Sequence, residues 1–100
     1  MSRRLIVRSE AEADLTEAAL WYEARGAGLG LDLIGEMSAA MARAVENPQL
    51  HHRLRQQPEI RRVLAWRFPY RIFFIVRTDA VVVFAVLHAA RHDRHWRQRL

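Results

Sequence analysis

The sequence predicts an α+β domain in which two antiparallel helices pack on a small, mainly antiparallel sheet. Apolar residues recur at helical spacing through the first half of the chain. After Pro58 the period becomes that of strands, and the run Ala80 to Leu87 is wholly apolar. That run is far shorter than the ~20 residues a membrane helix requires, so it reads as a buried strand.

The elements follow in order. Leu5 to Val7 is a short apolar stretch bounded by arginine and reads as a first strand. Ser9 opens a helix, with Glu12 three residues on in the capping-box arrangement, and Glu10, Glu12 and Asp14 suit the positive end of the helix dipole. Its stripe is Ala11, Leu15, Ala18, Ala19 and Tyr22, and Gly26 and Gly28 end it. A second helix runs from about Leu29 to Glu46 on the stripe Ile34, Met37, Met41, Ala44 and Val45, widened by Leu33 and Ala40. Asn47-Pro48 stops it. Residues 47–59 are polar, carry two prolines and read as a loop. Strands follow over Ile60 to Ala65, Phe68 to Val76 and Ala80 to Leu87, the last two joined by the turn Arg77-Thr78-Asp79. Asp93 is placed to cap a last short helix carrying Trp96. The predicted order is β-α-α-β-β-β-α.

The chain of 100 residues, 51% of them apolar, suits one domain with a single core. It contains no cysteine, which excludes disulfides, thiol catalysis and thiolate metal sites, and suits a reducing cytoplasm. No secretory signal or membrane segment is recognised. All sixteen basic side chains other than histidine are arginine, so lysine chemistry is excluded and every such cation is a permanent guanidinium. Charge is divided unevenly. Residues 1–46 hold eight acids against five arginines, a net of −3, whereas residues 47–100 hold eleven arginines against three acids, a net of +8. All five histidines lie in the second half. This asymmetry points to an acidic partner for that half, either nucleic acid or a carboxylate-rich protein segment.

Pairing Val76 with Val81 across the turn sets a register for the last two strands. It places Tyr70, Ile72, Phe74 and Val76 with Val81, Val83, Ala85 and Leu87, on an uncharged face assigned to the helices. The other face carries Arg67, Arg71, Phe73 and Ile75 beside Val82, Phe84, Val86 and His88. A face part apolar and part arginine requires a cover: a partner, a chain terminus or a target.

Three segments resemble one known family. Glu12-Ala13-Asp14-Leu15, Trp21-Tyr22-Glu23 and Gly28-Leu29-Gly30 look like the helical hairpin of ParE-type toxins. Arg67-Phe68-Pro69-Tyr70-Arg71-Ile72-Phe73-Phe74 looks like their central strand, and Val83-Phe84-Ala85-Val86-Leu87-His88 with Arg91 and Trp96 like their last strand and tail. The resemblance to the ParE/RelE toxin superfamily runs over nearly the whole chain. It implies a toxin of a type II toxin–antitoxin pair, with a part in plasmid stabilization, held in a hetero-oligomer with a ParD-like antitoxin of ribbon-helix-helix type with an acidic tail. ParE-like members are associated with poisoning DNA gyrase, RelE-like members with cutting mRNA on the ribosome, and the fold alone does not choose between them. A plain nucleic-acid-binding module is a third reading, resting on the +8 half.

Metal-independent RNA cleavage needs a base, an acid and cations on the phosphate. The available set is Arg67 and Arg71 with His88 or His92, which is incomplete beside the several basic residues and C-terminal tyrosine of RelE-like enzymes. A non-enzymatic toxin is therefore the lead reading. The target-binding candidates are Arg67, Arg71, His88, Arg91, Arg94 and Arg97. The antitoxin-binding candidates are Trp21, Arg67, Arg71, Phe73, Ile75, Val82 and Phe84. His88, His92 and His95 have a spacing that could gather imidazoles, but no carboxylate or thiolate motif completes a metal site, and no cofactor is expected.

Overall fold

In the computed structural model, which describes residues 3–100, strand β1 (Arg4–Val7) runs directly into helix α1 (Ser9–Glu23). The Arg8 amide still donates to the Val83 carbonyl (2.9 Å) in extended conformation, so the cap position falls on Arg8. The expected Ser9 capping box does not form, because Ser9 is already helical, and no side chain caps this end.

The turn after α1 instead caps α2 (Leu29–Glu46). The Glu23 carboxylate accepts from the Gly28 and Gly30 amides at 3.0 and 2.9 Å. Gly28 has φ +88°, the left-handed region that glycine enters at least cost. A Cβ on Gly30 would stand 2.9 Å from the Ala19 carbonyl oxygen, so only glycine permits this close crossing of the helices. Helix α2 buries Leu33, Met37, Ala40, Met41 and Ala44, and Ile34 lies at its exposed margin. The contact face is thus centred on Leu33 and Ala40, slightly rotated from the expected stripe.

The polar segment expected as loop contains a short 3-10 turn (Pro48–Leu50) and a strand, β2 (His52–Arg55). It was hidden because an edge strand of sequence His-Arg-Leu-Arg turns a single apolar residue, Leu54, inward. Strands β3 (Ile60–Leu64), β4 (Tyr70–Val76) and β5 (Ala80–His88) complete a five-stranded sheet of order β1-β5-β4-β3-β2. Only the β1–β5 pair is parallel. Helix α3 (Arg94–Arg97) closes the chain. No helix among the described residues is long and apolar enough to cross a membrane.

Val76 does pair with Val81, but a β-bulge intervenes further along. Phe74 faces Val83 and Phe73 faces Ala85, leaving Phe84 as the additional residue on β5. The bulge reverses the faces beyond it. Val86 joins Ile72, Phe74, Val81 and Val83 in the core under the helices, whereas Ala85 and Leu87 join Phe73, Ile75, Val82 and Phe84 on the other side. A strict period of two misassigns these three β5 residues and also His88, which lies beside Tyr70 on the helical side.

The second face is covered by the chain's own tail. Trp96 stacks on Phe73 (centroids 5.6 Å, planes at 19°) and meets Phe84 edge-on (6.5 Å). Phe73, Ile75, Val82 and Phe84, expected as an antitoxin surface, are therefore buried.

Candidate functional site

Strand β1 ends at Val7, opposite Val83, so β5 continues beyond it with one edge unpaired. Helix α1 crosses that edge. Asp14 and Ala18, on its inward side, bring Trp21 one turn further along the same line. The Asp14 carboxylate accepts from the Val86 amide (2.8 Å) and from both terminal nitrogens of Arg99 (2.5 and 3.0 Å). Arg99 also donates to the Phe84 carbonyl (3.2 Å). The hydrogen bond to Asp14, above all, raises the Arg99 pKa from its already high value. An ion pair thus occupies the place where a neighbouring strand would sit.

Beyond this pair a cleft of 280 Å³ opens between α1 and the end of β4 and β5, lined by Glu17, Trp21, Tyr22, Tyr70, His88 and Arg91 among others. Its walls are aromatic. Tyr70 meets the Tyr22 ring at 6.4 Å and the His88 ring at 5.4 Å, both edge-on. Tyr22 in turn packs edge-on against Phe68 and Trp21, each at 4.9 Å. Arg25 lies over the outer face of Trp21, 3.2 Å from its centroid, and donates to the Trp21 carbonyl, which holds the indole at the rim.

The polar groups of the cleft are mainly donors. His88 Nδ1 accepts from the Ala90 amide (3.1 Å), so the neutral ring carries its proton on Nε2. Burial, with smaller contributions from Tyr22 and Glu17, raises the Tyr70 pKa, so its hydroxyl stays protonated and able to donate. Arg91 supplies a guanidinium and Glu17 a carboxylate, while the second carboxylate of the lining, Asp14, is held by Arg99. Such a recess suits a carboxylate attached to an apolar or aromatic group.

Of the residues singled out in the sequence, Trp21, His88 and Arg91 meet in this cleft. Arg67 and Arg71 do not meet each other. Arg67 lies in the β3–β4 connection against α2. Its guanidinium pairs with Asp32 (3.1 Å), while its amide and that of Phe68 donate to the Glu36 carboxylate (3.1 and 3.0 Å). Arg71 lies on the opposite face, 8% exposed, where it donates to Asp93 (3.2 Å) and the Arg91 carbonyl (2.5 Å). The expectation that both guanidiniums line one open face is corrected. Residues before Tyr70 have left the strand, and the second guanidinium is occupied by the tail.

His92 is exposed on the tail, its Nδ1 accepting from the Arg94 amide (3.1 Å), so Arg67, Arg71, His88 and His92 form no common site. Arg94 and Arg97 are exposed on α3, with Arg97 over Trp96 (5.4 Å). Burial, then the surrounding cations Arg91 and Arg94, lowers the His95 pKa. No cluster of three or more histidines and carboxylates suited to a metal occurs among the described residues.

Sequence reasoning missed Asp14, Arg99 and Tyr70. Asp14 carried a signal, since it falls three residues after Ala11 and four before Ala18, on the face that α1 buries. A carboxylate on a buried face requires a partner.

A helical hairpin over one face of a mixed sheet, a tail over the other and an aromatic cleft at the seam define a small α+β protein with a recess open beside its sheet edge. The family model described as "ParE toxin of type II toxin-antitoxin system, parDE" matches residues 5–93, and the chain belongs to this family. Among solved structures, a chain from "Chromosomal ParDE TA system from P. aeruginosa" superposes with a TM-score of 0.69 at 17% identity, covering 86% of this chain and 95% of that one. At that identity the likeness is one of fold. No curated protein matches the sequence.

Proposed function

We propose that this toxin acts in the cytoplasm without catalysing a reaction, by binding DNA gyrase and so arresting replication, and that a ParD-like antitoxin neutralises it. The observation that carries the non-enzymatic reading is the dispersal of the ribonuclease set that the sequence offers, Arg67, Arg71, His88 and His92. Arg67 is paired on the helical side, Arg71 is buried under the tail, and His88 faces the cleft. General acid–base cleavage requires these groups within hydrogen-bond reach of one phosphate. Family membership over residues 5–93 supports the toxin class and, through the paired system, an antitoxin.

The antitoxin's acidic segment would enter the cleft, a carboxylate accepting from Arg91, His88 Nε2 and Tyr70 while an apolar neighbour packs on Trp21. Arg94 and Arg97, exposed on α3, extend the positive surface for the target. Purified toxin added to gyrase and plasmid should trap cleaved DNA or abolish supercoiling, and the antitoxin should reverse this. Unchanged supercoiling at saturating toxin would reject the target. New codon-linked 5′ ends in transcripts after induction would reject the non-enzymatic mechanism.

A further inference from the structure

A second recess lies on the tail-covered face, toward the β4–β5 turn and remote from the aromatic cleft. It has a volume of 430 Å³, and Arg8, Arg55 and Arg77 line it over a floor of Ile75, with Pro58 and Leu100 at its sides. The three arginines come from separate places: the β1–α1 junction, edge strand β2 and the residue after β4. Folding alone brings them together.

Their lack of partners distinguishes them. Arg61, Arg67, Arg71 and Arg99 each hold a carboxylate. Among the described residues, no ion pair or side-chain hydrogen bond engages the guanidinium of Arg8, Arg55 or Arg77, and no acidic side chain lines the recess. A guanidinium does not shed its proton, so these like charges persist at all physiological pH values. Water reaches these groups, and an anion entering the recess would compensate their charge directly.

The same face carries more cations. Ile6 packs into the tail-side core, so alternation along β1 sets Arg4 and Arg8 on that side, and Arg62 is opposite Phe73. Arg4 and Arg62 likewise lack carboxylate partners among the described residues. The recess therefore lies on a sheet face that carries five arginines without carboxylate partners among the described residues.

We infer that Arg8, Arg55 and Arg77 form a site for the phosphodiester backbone of a nucleic acid strand. Two features favour this over an acidic peptide. The floor strand β4 is paired on both sides, so an extended peptide cannot add to it as a further strand. Guanidinium forks match phosphate and carboxylate oxygens alike, so their geometry admits the phosphodiester without selecting it. Several cations without carboxylate partners on one side suit a polymer bearing a charge on every unit. The inference stands apart from the cleft and from the proposed target.

The test is fluorescence anisotropy of the full chain with a short fluorescein-labelled single-stranded oligonucleotide. Binding should weaken steeply between about 50 and 200 mM salt. The double substitution Arg55→Gln and Arg77→Gln, both at exposed positions, should lower affinity about tenfold and reduce the salt slope by about 1.4, the value for two lost single-strand phosphate contacts. Arg43→Gln, on α2, removes a charge elsewhere and should change affinity less than about twofold. Unchanged melting temperatures establish that the variants fold. Absence of oligonucleotide binding, a loss for Arg43→Gln matching that of the double variant, or displacement of the oligonucleotide by an equal concentration of poly-glutamate would each overturn the inference.

Discussion

Asp14 and Arg99, separated by 85 positions, form a two-pronged ion pair that closes the free edge of β5. The Asp14 carboxylate also accepts the Val86 amide, so its removal strands both a backbone donor and a partly buried guanidinium. Asp14→Ala should destabilise the fold by about 2–3 kcal/mol, and Arg99→Gln by about 1 kcal/mol, because the carboxylate then keeps the amide. Urea denaturation checks this, and equal losses for the two would contradict the unequal roles.

Glu23 gives a pH prediction. Its pKa is lowered by the amides of Gly28 and then Gly30, so the folded state favours the carboxylate more than the unfolded chain does. That contribution is complete above the ordinary glutamate range and is lost as pH falls through the lowered folded value. Glu23→Gln should therefore flatten the acid limb of a melting-temperature profile. Parallel limbs for the two proteins would count against the cap.

Trp96 covers the second core. Trp96→Ala uncovers the Phe73 and Phe84 rings and should cost about 3–5 kcal/mol. The Trp96→Phe variant should recover most of it. Increased dye binding to exposed apolar surface, with the helical signal retained, would identify loss of the tail rather than of the whole fold.

Arg71 and Arg67 should behave oppositely. Arg71 is buried and bonded to the tail, so Arg71→Gln should speed amide exchange across residues 89–100. Arg67 makes an exposed pair, and Arg67→Gln should change stability by no more than about 0.5 kcal/mol. Protected tail amides in the first variant would refute the pinning role.

Trp21 is 50% exposed at the rim of the cleft. Trp21→Ala should leave the melting temperature nearly unchanged while weakening the antitoxin complex by about 2 kcal/mol, as a buried aromatic anchor would. Calorimetric titration separates the two effects. Full affinity in this variant would move the interface elsewhere.

The hairpin was legible because α2 keeps its period and its stops are proline and glycine, residues with direct backbone consequences. The resemblance in Trp21-Tyr22-Glu23 and in the central strand led to the family, which the match over residues 5–93 establishes. The β5 bulge was not legible, because Val83, Phe84, Ala85 and Val86 are all apolar and either face accepts them. Strand β2 escaped because it has one inward side chain. Arg71 was misplaced for a different reason: a lone arginine in an apolar strand gives no sign whether solvent, ligand or the chain's own tail meets it. The helix dipole suits Asp14, but its helical phase also puts it inside, where it needs a partner.

The bond between β1 and β5 sets an order for synthesis. The first strand has no partner until residues 80–83 exist, and the hairpin that follows it lacks a floor until the sheet assembles. Contacts this distant in sequence slow folding. A nascent copy therefore stays without its finished surface through most of translation, an interval in which an inhibitor already in the cell can be waiting when the last turns form.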